Sequence, residues 1–145
     1  MTPEPPYRAS VPYREIGDGV VCPRCPNGHL RPLTYGSLIV HACETCGGVF
    51  ADRDVMERVL AGDVAAFRDL AAEATRAPPR PATSPRDLAC PKCQSLMKPV
   101  RVERAGCIVD VCAAHGVWFD RWEAHLIADA MSDAEANATL RRALR

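Results

Sequence analysis

Cys22-Pro23-Arg24-Cys25 is answered 68 residues later by Cys90-Pro91-Lys92-Cys93, and the match extends outward from these two turns. Leu30-Arg31-Pro32-Leu33 pairs with Met97-Lys98-Pro99-Val100, and residues 39–43 pair with 108–112. Cys43-Glu44-Thr45-Cys46-Gly47 then aligns with Cys112-Ala113-Ala114-His115-Gly116, and Phe50 with Phe119. The offset drifts only between 67 and 69 residues, so small loop insertions separate two copies of one unit.

Within each copy the apolar period changes from two to 3.6. Residues 37–42 and 107–111 are β-branched and alternating, which predicts short strands joining the two cysteine turns in a hairpin-like structure. Helical patterns follow the second turn. Asp120 with Glu123 has the spacing of a capping box, and Asp54 with Glu57 repeats it in the first copy, three residues displaced. Gly62 stops the first helix, Asp63 caps another to residue 76, and Ser132 with Glu135 opens the last. Pro78, Pro79, Pro81 and Pro85 break any helix between the copies. These signals divide the chain into a tail (1–19, with Tyr7 and Tyr13 as its only anchors), a first unit (20–76), a proline-rich linker (77–87) and a second unit (88–145). Each unit holds a complete ligand set and is expected to fold by itself.

Composition explains why the cysteines matter. Of 145 residues only eight are aromatic, and alanine dominates the apolar ones, so a large core of interlocking side chains is not on offer. Domains this small add disulfides or a structural metal. Cys22, Cys25, Cys43 and Cys46 have the spacing C-x2-C-x17-C-x2-C; Cys90, Cys93, Cys112 and His115 repeat it with 18 residues between the pairs. Two residues between ligands let both side chains of one turn reach one ion, and two such turns complete a tetrahedron. Thiolate and imidazole both suit zinc, which predicts two Zn2+ per chain, with Gly47 and Gly116 letting the turns close. Iron on the all-cysteine site, disulfides, and exchange of turns between the copies are the alternatives. The fold class is then a small, metal-stabilised α+β protein of two zinc ribbons, short β-hairpins with two knuckles, each followed by helix.

At these residues each copy resembles the bacterial transcription-factor zinc-finger family of TFIIB-type zinc ribbons. The resemblance rests on Cys22, Cys25, Cys43, Cys46, Gly47, Gly48 and Phe50 in one copy. In the other it rests on Cys90, Cys93, Cys112, His115, Gly116, Trp118, Phe119, Asp120 and Glu123. The first copy departs from the pattern at Val49 and Ala51, where Trp and Asp are expected. The remaining chemistry-bearing residues have plainer readings. Cys107 aligns with Leu38 and reads as a small apolar strand residue; His29, His41 and His125 read as loop or surface histidines; Trp118 and Trp122, four apart, read as core packing.

Charge and motifs narrow the function. Eighteen basic and eighteen acidic residues cancel; two loaded sites, one of net charge −2 and one of −1, bring the chain to −3. Binding to a nucleic-acid backbone would therefore rest on a local patch of Lys92, Lys98, Arg101 and Arg104. No apolar run is long enough to span a membrane, and clustered thiols without a leader point to the reducing cytoplasm. Four protein ligands leave no position for an activated water, and no H-E-x-x-H, P-loop or G-x-S-x-G pattern occurs, so no enzyme is expected. The leading expectation is a zinc-ribbon module that binds a protein partner; a nucleic-acid-binding or transcription-associated regulator and a thiol redox or metal-release switch are the alternatives.

Overall fold

The computed structural model describes residues 20–25, 28–74 and 88–145. The 1–19 tail, the 77–87 linker and the end of the helix expected to reach residue 76 lie outside the described residues. Seven strands are present among those described: β1 (Val20–Val21), β2 (His29–Tyr35), β3 (Leu38–Cys43), β4 (Val49–Asp52), β5 (Lys98–Val102), β6 (Cys107–Cys112) and β7 (Gly116–Phe119). They form one antiparallel sheet in the order β1-β2-β3-β4-β7-β6-β5. Four helices accompany it: α1 (Arg53–Leu60), α2 (Val64–Ala74), α3 (Glu123–Ala130) and α4 (Ala134–Ala143).

The expectation of two separate units gives way here to a shared sheet. Neighbouring strands within each half pair through short hairpins, but β4 pairs with β7 across more than sixty residues of chain, with Val49 opposite Phe119, Phe50 opposite Trp118, Ala51 opposite Val117 and Asp52 opposite Gly116. A two-fold axis through the Phe50–Trp118 pair exchanges 49 with 117 and 51 with 119, and carries β3 onto β6 and β2 onto β5. The physical cause is edge completion. Taken alone, the four strands of the first half or the three of the second would leave β4 or β7 with unpaired N–H and C=O groups along one edge, and each half covers the other's edge.

The two faces of the sheet bury different things. One face carries Leu38, Val40, Ala42, Val49, Ala51, Val102, Val109, Val111, Val117 and Phe119 against all four helices. Phe67 of α2 meets Phe119 of the second half edge-on, with ring centroids 5.5 Å apart. Asn137 and Arg141 of α4 both donate to the Leu60 carbonyl at the end of α1, each at 3.0 Å, which satisfies an acceptor that α1 leaves open. On the opposite face a row runs straight across six strands: Pro32, His41, Phe50, Trp118, Asp110 and Pro99. The cysteine turns cover the middle of this row, so Phe50 and Trp118 are fully buried beneath Cys22, Cys25, Cys43, Cys90, Leu88 and Met97.

Register also corrects the alignment of the copies. Ala42 pairs with Val49 in the first half, whereas Val111 pairs with Val117 in the second, so the first turn holds one more residue. Beyond that extra glycine the frame shifts, and Phe50 occupies the place of Trp118 while Asp52 occupies that of Asp120. The helix cap follows. Asp52, not Asp54, caps α1, in extended backbone with its side chain accepting from the Val55 N–H at 3.1 Å. Asp133, not Ser132, caps α4, accepting from the Glu135 and Ala136 N–H groups at 3.0 and 2.9 Å. Asp63 gives its carboxylate to Arg58 at 2.7 Å, just before α2 begins.

The shared sheet has a direct consequence for dissection of the chain. Expressed separately with zinc, residues 1–78 and 86–145 should each show poor NMR dispersion or self-association, and mixing them should yield a dispersed 1:1 complex. Two monomeric, well-dispersed halves that ignore each other would overturn the account.

Candidate metal centres

Cys22 and Cys25 leave β1 in a tight turn in which the Arg24 and Cys25 N–H groups both point at the Cys22 sulphur, each at 3.3 Å. The turn closes through Cys22 N–H to the Gly28 carbonyl and Gly28 N–H to the Cys25 carbonyl. The facing turn follows β3: the Gly47 N–H returns to the Cys43 carbonyl at 2.9 Å, with Gly47 at φ +77°, a conformation open to glycine and costly to most other residues. The four sulphur atoms gather at one point, within 4.8 Å of one another. The second centre repeats the plan. The Lys92 N–H points at the Cys90 sulphur at 3.3 Å, and the Gln94 N–H bonds the Cys90 carbonyl with Gln94 itself at φ +66°. His115 presents Nδ1 to Cys112 and Cys90, at 3.5 and 4.0 Å.

These separations fit a zinc tetrahedron. With Zn–S bonds of about 2.3 Å and a Zn–N bond of about 2.0 Å, S···S edges come to roughly 3.8 Å and S···N edges to roughly 3.5 Å. Cys22 and Cys46 sulphurs lie 3.8 Å apart, and Cys93 and Cys112 sulphurs 3.9 Å apart. No disulfide joins them, and the groups form in sequence order without exchange between the halves. Both sites therefore take Zn2+, two ions per chain. The sulphurs compete for protons among themselves. Hydrogen bonds with Cys43 and Cys46, then burial, push the Cys22 thiol far up, while its bonds with Cys22 and Cys46 pull Cys43 down. Burial raises Cys90 to about 12, and the Ser95 side chain and N–H hold exposed Cys93 down at about 6. A dication among four such donors stabilises all the thiolates together.

Beside the first centre sits a polar cluster contributed by both halves. Arg24, inside the first turn, donates Nε and Nη2 to the two oxygens of Asp120, each at 2.8 Å, and the Trp118 indole N–H donates to Asp120 at 2.9 Å. The Asp120 carboxylate therefore does not cap α3. Glu123 supplies the other half of the expected box, accepting the Asp120 N–H at 2.8 Å. Burial raises Glu123 to about 7, and the charges of Asp120 and Asp110 add to the effect against the Asp120 N–H and Arg24. Asp110 itself is 1% exposed.

The other residues singled out by sequence are placed as follows. Cys107 opens β6, belongs to neither metal group, and is raised to about 11 by burial and then by Glu123. His29 is exposed, but His41 is 6% exposed on the inner row, where burial lowers it to about 4 with Asp52 and Lys92 nearby; its even position on β3 turns it to the metal-bearing face. His125 is half-buried against the Trp122 ring at 5.2 Å. Trp118 is core, but Trp122 is 54% exposed at φ +76°, because the residue preceding α3 turns its ring outward. Lys98 and Arg101, three apart on β5, lie on opposite faces of the strand; Arg101 pairs with Glu103 and Arg104 with Asp133, and Lys92 is half-buried. Sequence reading missed Arg24, Asp52, Arg53 and Arg121. The signal was present: Val49-Phe50-Ala51-Asp52-Arg53 matches Val117-Trp118-Phe119-Asp120-Arg121 once one glycine is skipped.

A model of the transcription factor zinc-finger family, a TFIIB-type zinc ribbon, matches residues 21–62. That span runs from the first cysteine turn to the end of α1. No curated protein and no solved structure matches the chain. Among the described residues no helix is long and apolar enough to cross a membrane.

Protein purified without added metal should contain two zinc ions per chain by elemental analysis, and a strong chelator should abolish the native circular dichroism, since zinc binding supplies roughly 10–16 kcal/mol in small zinc peptides. Retention of the native spectrum after complete metal removal would refute a structural role for the ions. A second expectation concerns pH. A carboxyl raised to about 7 in the folded chain binds a proton that the unfolded chain releases above pH ~4.5, so Glu123 lowers stability as pH climbs from about 5 to 7. Glu123→Gln keeps the acceptor for Asp120 and should flatten that decline, gaining on the order of 1 kcal/mol at pH 7 in denaturant titrations of the zinc-loaded protein. An unchanged slope would show that Glu123 titrates normally.

Proposed function

We propose that the chain is a non-enzymatic, cytoplasmic protein-interaction module built on two tandem TFIIB-type zinc ribbons, the second formed by Cys90, Cys93, Cys112 and His115. The closed ligand sets support this reading: each ion receives four protein donors, an arrangement used to hold structure, with no coordination position for a reacting water. The observation that carries it is the surface at α3. Trp122 and Leu126, one turn apart, are 54% and 41% exposed, and Trp122 is held outward by a left-handed backbone that a bulky residue adopts only at a cost. Aromatic side chains of this kind anchor protein interfaces. Nucleic-acid contact has less support, because Lys98 and Arg101 lie on opposite faces of β5, and Arg101 and the following Arg104 are each engaged by an acid. A metal-release switch is favoured by one feature, the exposed ligand Cys93.

Affinity capture from the native lysate with zinc-loaded protein tests the reading. Partners retained after nuclease, and lost with Trp122→Ala while the zinc content stays at two, are the expected result. Loss of every partner on nuclease treatment would move the function to nucleic acid, and partners gained only after mild oxidation would move it to the switch.

A further inference from the structure

We infer that each half supplies, across the β4–β7 seam, the outer supports of the other half's zinc site, so that the two sites load cooperatively. Residues 50–53 hold the second centre. The Arg53 N–H donates to the carbonyl of the ligand His115 at 2.9 Å, and the Arg53 guanidinium donates to the carbonyl of Ala113 in the same ligand turn and to that of Leu144. Gly116, which follows His115, lies so close to Ala51, Asp52 and Phe50 that a Cβ there would sit 2.6 Å from the Asp52 Cα and 3.0 Å from the Phe50 ring.

Residues 118–121 do the same for the first centre. The Trp118 indole covers Gly48, where a Cβ would overlap the ring. Arg121 lies over Gly47, with Nη1 at 2.9 Å from the position of a Cβ, and Asp120 takes Arg24 of the Cys22 turn in a two-pronged ion pair. Asp52-Arg53 and Asp120-Arg121 stand in corresponding positions about the seam, and in each case the arginine reaches the ligand turn of the opposite half.

The coupling follows from what orders what. A ligand turn is fixed by its ion, and only a fixed turn offers the His115 carbonyl, or a flat Gly47-Gly48 surface, at the place where the other half's residues need it. Ordering one turn therefore sets one side of the β4–β7 pair, and the pair sets the residues that brace the second turn. Thermodynamic linkage makes the effect mutual: if the first ion tightens the second site by some factor, the second tightens the first by the same factor. Partners in this outer position commonly contribute about 10–100-fold in metal affinity.

Titration of the full-length, metal-free chain with Co2+ reads the two centres separately, because all-thiolate and three-thiolate-one-imidazole sites differ in their visible ligand-field bands. The wild type should fill both sites in a single cooperative rise. Arg53→Met should weaken the Cys3His site by about 10–100-fold, more than it weakens the all-cysteine site in its own half, with Arg53→Lys recovering part of the loss. Asp120→Asn should show the opposite pattern, its larger loss falling on the all-cysteine site. This crossed pattern separates the inference from simple destabilisation, which would weaken both bands alike. Independent filling of the wild-type sites, equal losses at both sites, or a larger loss in the mutated residue's own half would each overturn it.

Discussion

The antiparallel pairing of β4 with β7 is the constraint on which everything else in this protein rests. Among the described residues it is the one strand contact that joins the halves, and it puts Phe50 opposite Trp118 at the centre of the sheet, where both are fully buried. Remove it and the first half is left with four strands and the second with three, each with a bare edge, helices lacking much of what they cover, and a cysteine turn without its support. With it in place, a chain poor in aromatic residues closes two cores, one on each face of the sheet. Alanine-rich helices suffice on the first face because they pack onto a seven-stranded sheet, wider than either half could build.

The second face shows how metal and protein share the work. There the largest side chains are not surrounded by other large side chains but roofed by ligand turns, so cysteines are at once donors to the ion and part of the apolar cluster. This placement has an electrostatic cost. Asp110, Asp120 and Glu123 act on one another electrostatically, and Arg24 is a countercharge to all three. The bond to Asp120 favours the charged form of Arg24, and burial first, then the neighbouring carboxylates, make Glu123 hold its proton to a higher pH. The partly buried Arg24–Asp120 pair thereby ties the first ligand turn to the second half with directional, charge-assisted bonds.

A single residue shows where reading by alignment loses its hold. Gly47 and Gly48 stand where the second half has Gly116 alone, and a residue-for-residue match assigns the difference to Val49 and Ala51. In the sheet the surplus is absorbed in the turn, because strand register is set by alternation of buried and exposed faces and a one-residue slip would turn Phe50 out of the core. The first half therefore keeps the pattern that it seemed to have lost: an aromatic residue beneath the metal, an aspartate at the helix start and an arginine after it.

Ligand identity, ligand order and the alternation of strand and helix were legible in the sequence by itself, because metal donors act through local spacing: two residues between cysteines define a turn whatever surrounds it. What sequence could not decide was the relation between the copies. The same linker and the same ligand sets are compatible with two beads on a string or with one sheet, and the choice falls to a long-range strand pair whose members look like ordinary edge strands when read alone. Tertiary structure also decided the fate of the polar residues. Arg24, Arg53 and Arg121 carry no periodic signal, and Trp122 follows the spacing of a core residue; each acquires its place only when the opposite half arrives, since the partner it meets, or fails to meet, lies more than sixty residues away in the chain.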